Sequence, residues 1–211
     1  MDKNQLAVGV FDLRARLYQE KFMDVGLYHN SLDLFCRFLT PSGAEVLELA
    51  CGPGNVTRYL LEKRPDLQIL GTDLSPNMIA LASLNNPEAT FQLLDCRASA
   101  SLGRSFDAIV CGFGLPYLNR EEAVQLIADT AQALRSGGVL YLSTMEDDYA
   151  LSGPRESSQG DWLYQYFHEA DYLAEALNGQ GLVIRHLERI CYEQRPGSLT
   201  TDLVLIAQKP I

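Results

Sequence analysis

The chain has 211 residues, 47% of them hydrophobic and 21% charged, which is typical of a soluble globular protein with one domain. With 17 Lys+Arg against 27 Asp+Glu, its formal net charge is -10 and no basic face is visible, which argues against nucleic acid or an anionic membrane surface as a partner. No apolar run reaches the roughly 20 residues that span a bilayer, and the first residues lack a secretion-signal pattern, so we expect the protein in the cytoplasm.

The first 43 residues are predicted to be helical. Apolar residues recur at helical spacing from Phe11 to Phe22 and from Leu32 to Leu39, before a Pro-Ser-Gly break at residues 41–43. Strands and helices then alternate. The predicted strands are 44–50, 67–73, 89–95, 106–112 and 139–144, and the predicted helices are 56–63, Pro76 to about Asn85, and 120–135. This alternation predicts crossover units and a mostly parallel sheet covered by helices on both faces.

The C-terminal third has a different pattern. Residues 146–160 are polar and contain the breakers Gly153-Pro154 and Ser157-Ser158, so we expect an irregular segment, and helical spacing resumes from Trp162 to Asn178. Two β-rich runs, 182–192 and 200–208, are joined by residues 195–198, a connection short enough for a hairpin. The whole chain is therefore predicted to be a three-layer α/β sandwich with seven strands, mostly parallel, and an antiparallel C-terminal hairpin.

The strand ends carry the residues of chemical interest, because ligands of open parallel sheets bind at the carboxyl ends of the strands. The first strand is followed by Gly52 and Gly54, which leave space for a ligand against the backbone. Asp73 ends the second strand and Asp95 the third. Asp73 lies 19 residues after Gly54, near the separation of a ribose-binding acid in nucleotide folds. The sequence thus predicts a nucleotide-like site at this edge.

Two segments resemble motifs of the class I S-adenosylmethionine-dependent methyltransferases. Residues 46–55, Val-Leu-Glu-Leu-Ala-Cys-Gly-Pro-Gly-Asn, look like the first motif of that family, and residues 71–78, Gly-Thr-Asp-Leu-Ser-Pro-Asn-Met, look like the second. The resemblance implies a Rossmann-like fold in a single domain. Residues 1–43 would form a helical N-terminal lid, 44–145 the cofactor-binding core, and 146–211 a substrate-side segment with the C-terminal strands.

The resemblance also implies contacts to S-adenosylmethionine, which becomes S-adenosylhomocysteine. Gly52 and Gly54 would pack against its methionine part, Glu48 would act near its amino end, and Asp73 would accept hydrogen bonds from both ribose hydroxyls. The other implied contacts come from the first motif, from around the adenine, from the end of strand four and from the lid: Ala50, Cys51, Leu74, Met78, Asp95, Cys96, Cys111, Gly112, Phe113, Tyr18 and Tyr28. Structural roles remain open for several, such as a tight turn for the glycines, a helix-entry acid for Asp73 and a core aromatic for Tyr18.

The predicted reaction is methyl transfer to a small-molecule O or N acceptor by in-line displacement, in which the protein chiefly positions the two reactants. No catalytic residue is assigned; Tyr117, His29 and His168 are candidates for a base or an orienting group. The acceptor walls are expected from the lid and from residues 146–166. The cysteines and histidines are scattered without ligand spacing, so no metal site is predicted.

Two alternatives remain open. The chain could bind the cofactor without catalysis, as a sensor or a scaffold subunit. It could also be an NAD-dependent oxidoreductase or a flavin enzyme, although the dinucleotide fingerprint requires a third glycine where this chain has Thr57. The sequence does not decide the oligomeric state.

Overall fold

A computed structural model of the protein describes residues 2–156, 160–195 and 198–211. The chain begins with helices α1 (Lys3–Leu13) and α2 (Ala15–Phe22), a 3-10 helix (Gly26–Tyr28) and helix α3 (His29–Phe38). The first predicted helical stretch is therefore two helices, and Arg14, with φ -105° and ψ 15°, separates them. Asp2 caps α1 by accepting a hydrogen bond from the Asn4 N–H at 3.0 Å.

Strands and helices alternate in the middle of the chain as predicted. The elements are β1 (Glu45–Leu49), α4 (Asn55–Lys63), β2 (Gln68–Asp73), α5 (Pro76–Asn85), β3 (Thr90–Leu93), β4 (Phe106–Gly112), α6 (Arg120–Ala133) and β5 (Leu134–Glu146). The Ser75 hydroxyl caps α5, and Asn119 with Glu122 forms a capping box on α6. Helix α6 ends before Gly137, because Leu134 is already extended and begins β5.

The C-terminal third corrects two predictions. Its elements are β6 (Gly153–Glu156), β7 (Trp162–Gln165), α7 (Ala170–Gly179), β8 (Val183–Arg195) and β9 (Ser198–Gln208). The expected irregular segment contains β6, which pairs with β7, so the helix predicted from Trp162 begins only at Ala170. Pro154 is tolerated because the sheet has only two strands and therefore only edge positions. The breakers Ser157-Ser158 and the hairpin residues 196–197 lie outside the described residues.

The main sheet has seven strands in the order β3-β2-β1-β4-β5-β9-β8. Strands β1 to β5 are parallel, and β9 is antiparallel to both β5 and β8, which confirms the predicted sheet and its C-terminal hairpin. The strand order reverses between β1 and β4. This reversal is the topological switch point, where a ligand cleft is expected at the carboxyl edge of the sheet.

Both faces of the sheet are buried, which gives the three predicted layers. Alternate side chains of β1 point to opposite faces: Val46 packs in the cluster that includes α3 and α4, and Leu47 in the cluster that includes α6 and α7. Strands β5 and β9 contribute to both clusters, so the core continues to the C-terminal strands. Within the described ranges, no helix combines the length and apolar character needed to cross a membrane.

Candidate functional site

Two adjoining cavities open at the carboxyl edge of β1, β2 and β4; together we call them the cleft. The first cavity extends over the ends of β2 and β3 toward α1, and the second extends over β1 and β5 toward α3. Their shared walls are Tyr18, Ala50, Gly52, Gly112 and Phe113. The cleft therefore lies at the switch point of the sheet, under the N-terminal helices.

Left-handed backbone conformations shape the shared wall. Ala50 has φ 52° and Phe113 has φ 57°, which are uncommon values for residues with a Cβ, and Gly52 has φ 52°. A Cβ at Gly52 would lie 3.7 Å from the Tyr18 ring. Glycine therefore leaves open the space between the loop after β1 and the helices above it.

Two predicted contact residues do not line the cleft. Gly54 immediately precedes α4 and has φ 78°, and a Cβ there would lie 2.3 Å from Asn86 Nδ2, so glycine at this position allows α4 and α5 to pack. Cys111 is fully buried in the core on β4, and burial raises the pKa of its thiol to about 12. Neither residue belongs to the walls of the two cavities.

Asp73 is the acid at the centre of the first cavity. Its Oδ2 accepts a hydrogen bond from the Gly52 N–H at 2.9 Å, and its Oδ1 accepts one from the Ser75 N–H at 2.9 Å. Burial raises the pKa of Asp73, while these backbone donors act in the opposite direction. The carboxylate is thereby fixed between the loop after β1 and the start of α5, with lone pairs left for a ligand.

Glu48 is a buried acid in the second cavity, with only 2% of its surface exposed. It accepts a hydrogen bond from the Thr57 hydroxyl, yet burial raises the pKa of Glu48 to about 8. Thr57 lies where a dinucleotide fingerprint requires glycine, and its hydroxyl group donates the hydrogen bond to Glu48. A ligand cation in the cavity would favour the ionised form of Glu48.

The end of β3 is connected to the start of the chain through Arg97. The Asp95 carboxylate, in the wall of the first cavity, pairs with Arg97 at 2.7 Å. Arg97 also pairs with Asp2 at 2.9 Å and with Glu122 at 2.9 Å. Since Asp2 caps α1, this guanidinium joins the cavity wall to the helix that covers it.

The N-terminal helices supply one side of the cleft. Tyr18 lines both cavities and Tyr28 lines the second. Both are residues that the sequence analysis assigned to the lid. Helix α1 adds wall residues that the sequence analysis did not assign: Asn4, Ala7, Val8 and Phe11. They share one helical face, so their spacing of three or four residues was the available signal.

Of the three candidate bases, the structure brings only Tyr117 to the cleft. Its ring lies 4.9 Å from the Phe11 ring in the first cavity, and burial raises the pKa of its hydroxyl. His29 stacks on Tyr59, with ring centroids 4.5 Å apart. His168 Nε2 lies 2.8 Å from the Leu115 carbonyl oxygen, and burial lowers its pKa to about 4. Both histidines are held in packing contacts outside the two cavities.

The described residues of the segment 146–166, which leave out 157–159, are not among the walls of these two cavities. Glu146 pairs with Arg189 at 2.6 Å, and Lys3 Nζ lies 3.6 Å from the Tyr164 ring centroid, so this segment packs against the outer side of α1. The remaining walls of the second cavity come from the loop before the 3-10 helix, α3, α4 and β5: Val25, Leu32, Asn55, Val56, Tyr141 and Ser143. Leu94 and Gly114 complete the first cavity.

The remaining predicted contacts are distributed over the two cavities. Leu74, Met78 and Cys96 line the first cavity, and Cys51 lines the second. Burial raises the pKa values of the Cys51 and Cys96 thiols well above the usual value for a cysteine. Neither cysteine is therefore an activated nucleophile.

Comparison with known proteins identifies the domain and the fold. A family described as "Methyltransferase domain" matches residues 46–138. The chain superposes on magnesium protoporphyrin IX methyltransferase from Synechocystis PCC 6803 with bound SAH, with a TM-score of 0.75 at 18% identity over 99% of this chain and 100% of that one. At this identity, the similarity establishes a shared fold.

Two curated relatives have related sequences. Trans-aconitate 2-methyltransferase of Variovorax paradoxus (strain S110) is 37% identical over 110 residues, which are 52% of this chain and 42% of that protein. Ubiquinone biosynthesis O-methyltransferase of Xanthomonas axonopodis pv. citri (strain 306) is 29% identical over 170 residues, which are 74% of this chain and 69% of that protein. The matched region thus spans less than half of the first relative's length.

Proposed function

Because residues 46–138 belong to the methyltransferase-domain family and the whole chain has the class I fold, we propose that the protein transfers a methyl group from S-adenosylmethionine to a small molecule through a nitrogen or oxygen nucleophile. The observation that carries this proposal is Asp73, which is fixed at the switch point by the Gly52 and Ser75 N–H groups and faces the first cavity.

The residues of the cleft fit the donor in three parts. Asp73 accepts hydrogen bonds from the two ribose hydroxyls, and the apolar side chains of Leu74 and Met78 pack against the adenine. Glu48, at the far side of Gly52, is suited to the donor's ammonium group. S-adenosylmethionine, when bound, supplies a methyl group on a sulfonium, which is a good leaving group. The protein therefore contributes mainly by positioning and by excluding water under Tyr18.

Three observations support a small-molecule acceptor. The second cavity is concave and has apolar or aromatic wall residues such as Val25, Leu32 and Tyr141, as small-molecule sites commonly do. The chain carries a net charge of -10, which disfavours nucleic acid. The name of one relative gives trans-aconitate, a small molecule, and the name of the other gives O-methylation in ubiquinone biosynthesis.

Thermal unfolding with S-adenosylmethionine, S-adenosylhomocysteine or NAD tests the donor assignment. A ligand at about one hundred times its Kd stabilises the folded state by about 2.7 kcal/mol. For a chain of this size we expect both adenosyl compounds to raise the Tm by roughly 5–10 °C and NAD to leave it unchanged. A rise with NAD alone would assign the cleft to a dinucleotide.

Asp73→Ala tests the ribose contact. Losing its charge-assisted hydrogen bonds is expected to weaken S-adenosylhomocysteine binding by about 1.5–3 kcal/mol, or roughly 10- to 150-fold in Kd, measured by calorimetry. Glu62→Ala, which removes an exposed acid on α4, is the control and should leave the Kd unchanged. Equal affinity in the Asp73 variant and the control would contradict the assigned role.

A further inference from the structure

Asp202, on β9, is a buried carboxylate whose local contacts leave it incompletely satisfied. None of its surface is exposed, and its Oδ2 accepts a hydrogen bond from the Tyr28 hydroxyl at 2.6 Å. The nearby Tyr192 hydroxyl on β8 acts to lower the pKa of Asp202, against the effect of burial. Its Oδ1 is buried without a hydrogen-bond partner, and no ion pair to Asp202 occurs among the described residues. A buried anion without a cation is costly, so this arrangement requires an explanation.

Tyr28 connects Asp202 to the cleft. It lines the second cavity, where its ring centroid lies 5.2 Å from that of Phe113. Because Asp202 accepts the hydroxyl hydrogen, the lone pairs of Tyr28 Oη are left as hydrogen-bond acceptors. Tyr28 therefore joins the wall of the second cavity to a buried carboxylate through its hydroxyl group.

The charges of the cleft favour a ligand with positive charge. The ionisable side chains in its walls include Glu48, Asp73 and Asp95, and the described wall residues include no Lys, Arg or His. The amino acid part of the donor carries one ammonium and one carboxylate. Its net charge is zero, so it does not neutralise the acids of the cleft. An acceptor carrying a carboxylate or phosphate would find no cationic side chain among the described wall residues, whereas an ammonium group would gain from Asp202, through Tyr28, and from the aromatic faces.

We propose that the methyl acceptor is a cationic primary or secondary amine and that Tyr28 and Asp202 remove its proton; this inference rests on the proposed function. The ammonium N–H proton moves to Tyr28 Oη while the Tyr28 hydroxyl hydrogen moves to Asp202 Oδ2. The freed nitrogen lone pair forms the new N–C bond, and the S–C bond breaks with its electron pair remaining on sulfur. Asp202 returns the proton to solvent after product release. Tyr28 is then a catalytic residue and Asp202 a positioning residue.

The surroundings of the pair are compatible with this proton transfer. Burial raises the pKa of Asp202, which makes its carboxylate a better proton acceptor. The titratable groups around the pair are Tyr192 and Glu188 on β8 and Tyr141 on β5. Burial raises the pKa of both tyrosine hydroxyls, so they stay neutral at physiological pH.

Binding of matched small molecules tests the charge preference. The full chain, saturated with S-adenosylhomocysteine, is titrated with benzyl, phenethyl and hexyl compounds, each as amine, alcohol and carboxylic acid at constant ionic strength. We expect at least one amine to bind about 10-fold more tightly than its alcohol and acid counterparts. Asp202→Asn, which preserves the side-chain size, and Tyr28→Phe should each abolish that advantage. The absence of an amine advantage, or its persistence in Asp202→Asn, would overturn the proposal.

Asp33→Asn is the matched control, because Asp33 also accepts a tyrosine hydroxyl, that of Tyr59 at 2.7 Å, but lies outside the two cavities. It should retain the amine advantage.

For an amine that is turned over, Asp202→Asn should lower kcat more than it changes KM, and the loss should shrink as the pH approaches the pKa of the amine. Failure of S-adenosylhomocysteine to bind would refute the proposed function; normal binding without an amine preference would refute only this inference.

Discussion

The buried side chain of Glu48 makes the stability of the folded protein depend on pH. Its pKa is raised from 4.5 to about 8 in the folded protein, so between these values the folded state binds more protons than the unfolded state. Stability conferred by the protonated form is therefore complete below pH 4.5 and is lost as the pH rises through about 8. Glutamine at this position would keep an acceptor for the Thr57 hydroxyl and remove the titration.

We expect Glu48→Gln to become progressively more stable than the wild-type protein from pH 5 to pH 8, by about 1 kcal/mol per pH unit, in ligand-free denaturant titrations. Glu45→Gln is the control on the same strand. Arg135 lowers the pKa of Glu45, so the Glu45 difference should stay constant over this range. A constant difference for Glu48→Gln would show that the carboxyl group is ionised throughout.

At the scale of elements, polar contacts fasten α1 at both ends. Asp2, at its start, pairs with Arg97, and Asp12, near its end, accepts hydrogen bonds from the Ser75 hydroxyl at 2.6 Å and the Asn77 N–H at 2.9 Å. These contacts join α1 to the end of β3 and to the start of α5. Since α1 forms a wall of the first cavity, its attachment bears directly on donor binding.

Arg97→Met should therefore loosen α1 while keeping the apolar stem of the side chain. We expect faster limited proteolysis before residue 24 and a Kd for S-adenosylhomocysteine weakened about 5-fold, or roughly 1 kcal/mol. Arg104→Met is the control, because Arg104 pairs with Glu45 away from the cleft. Unchanged proteolysis and affinity would show that α1 is held by its apolar contacts alone.

For the whole molecule, the hydrophobic core extends beyond residues 46–138, which match the methyltransferase-domain family. Residues 46–138 end before most of β5, yet Ile109 on β4 packs in one cluster with Leu140 on β5 and Leu205 on β9. A fragment ending at residue 138 would lack most of β5 and would expose the edge of β4 to which β5 pairs. We expect that fragment to lack a cooperative thermal transition, whereas the full chain shows one, measured by circular dichroism. A cooperative melt of the fragment would show that β5, β8 and β9 are dispensable.

Local patterns predicted much of this protein. The strands of the main sheet, the cap at Ser75 and the acids at the strand ends follow from short stretches of sequence, because propensity, capping and hydrophobic period act over a few residues. The same locality explains the failures. Trp162–Gln165 forms a strand because it pairs with residues 153–156, and a helical spacing of apolar residues carries no record of that partner.

The sequence by itself determined the strands of the main sheet and the position of Asp73 at the end of the second one, since each follows from residues near one another in the chain. Only the tertiary structure decided which distant residues meet across the cleft. Tyr28 meets Asp202, 174 positions away, and Asn4 on α1 reaches the Tyr117 carbonyl oxygen, 113 positions away. Such pairs form because helices and strands bury their apolar faces together, and that packing fixes neighbours that no local pattern encodes.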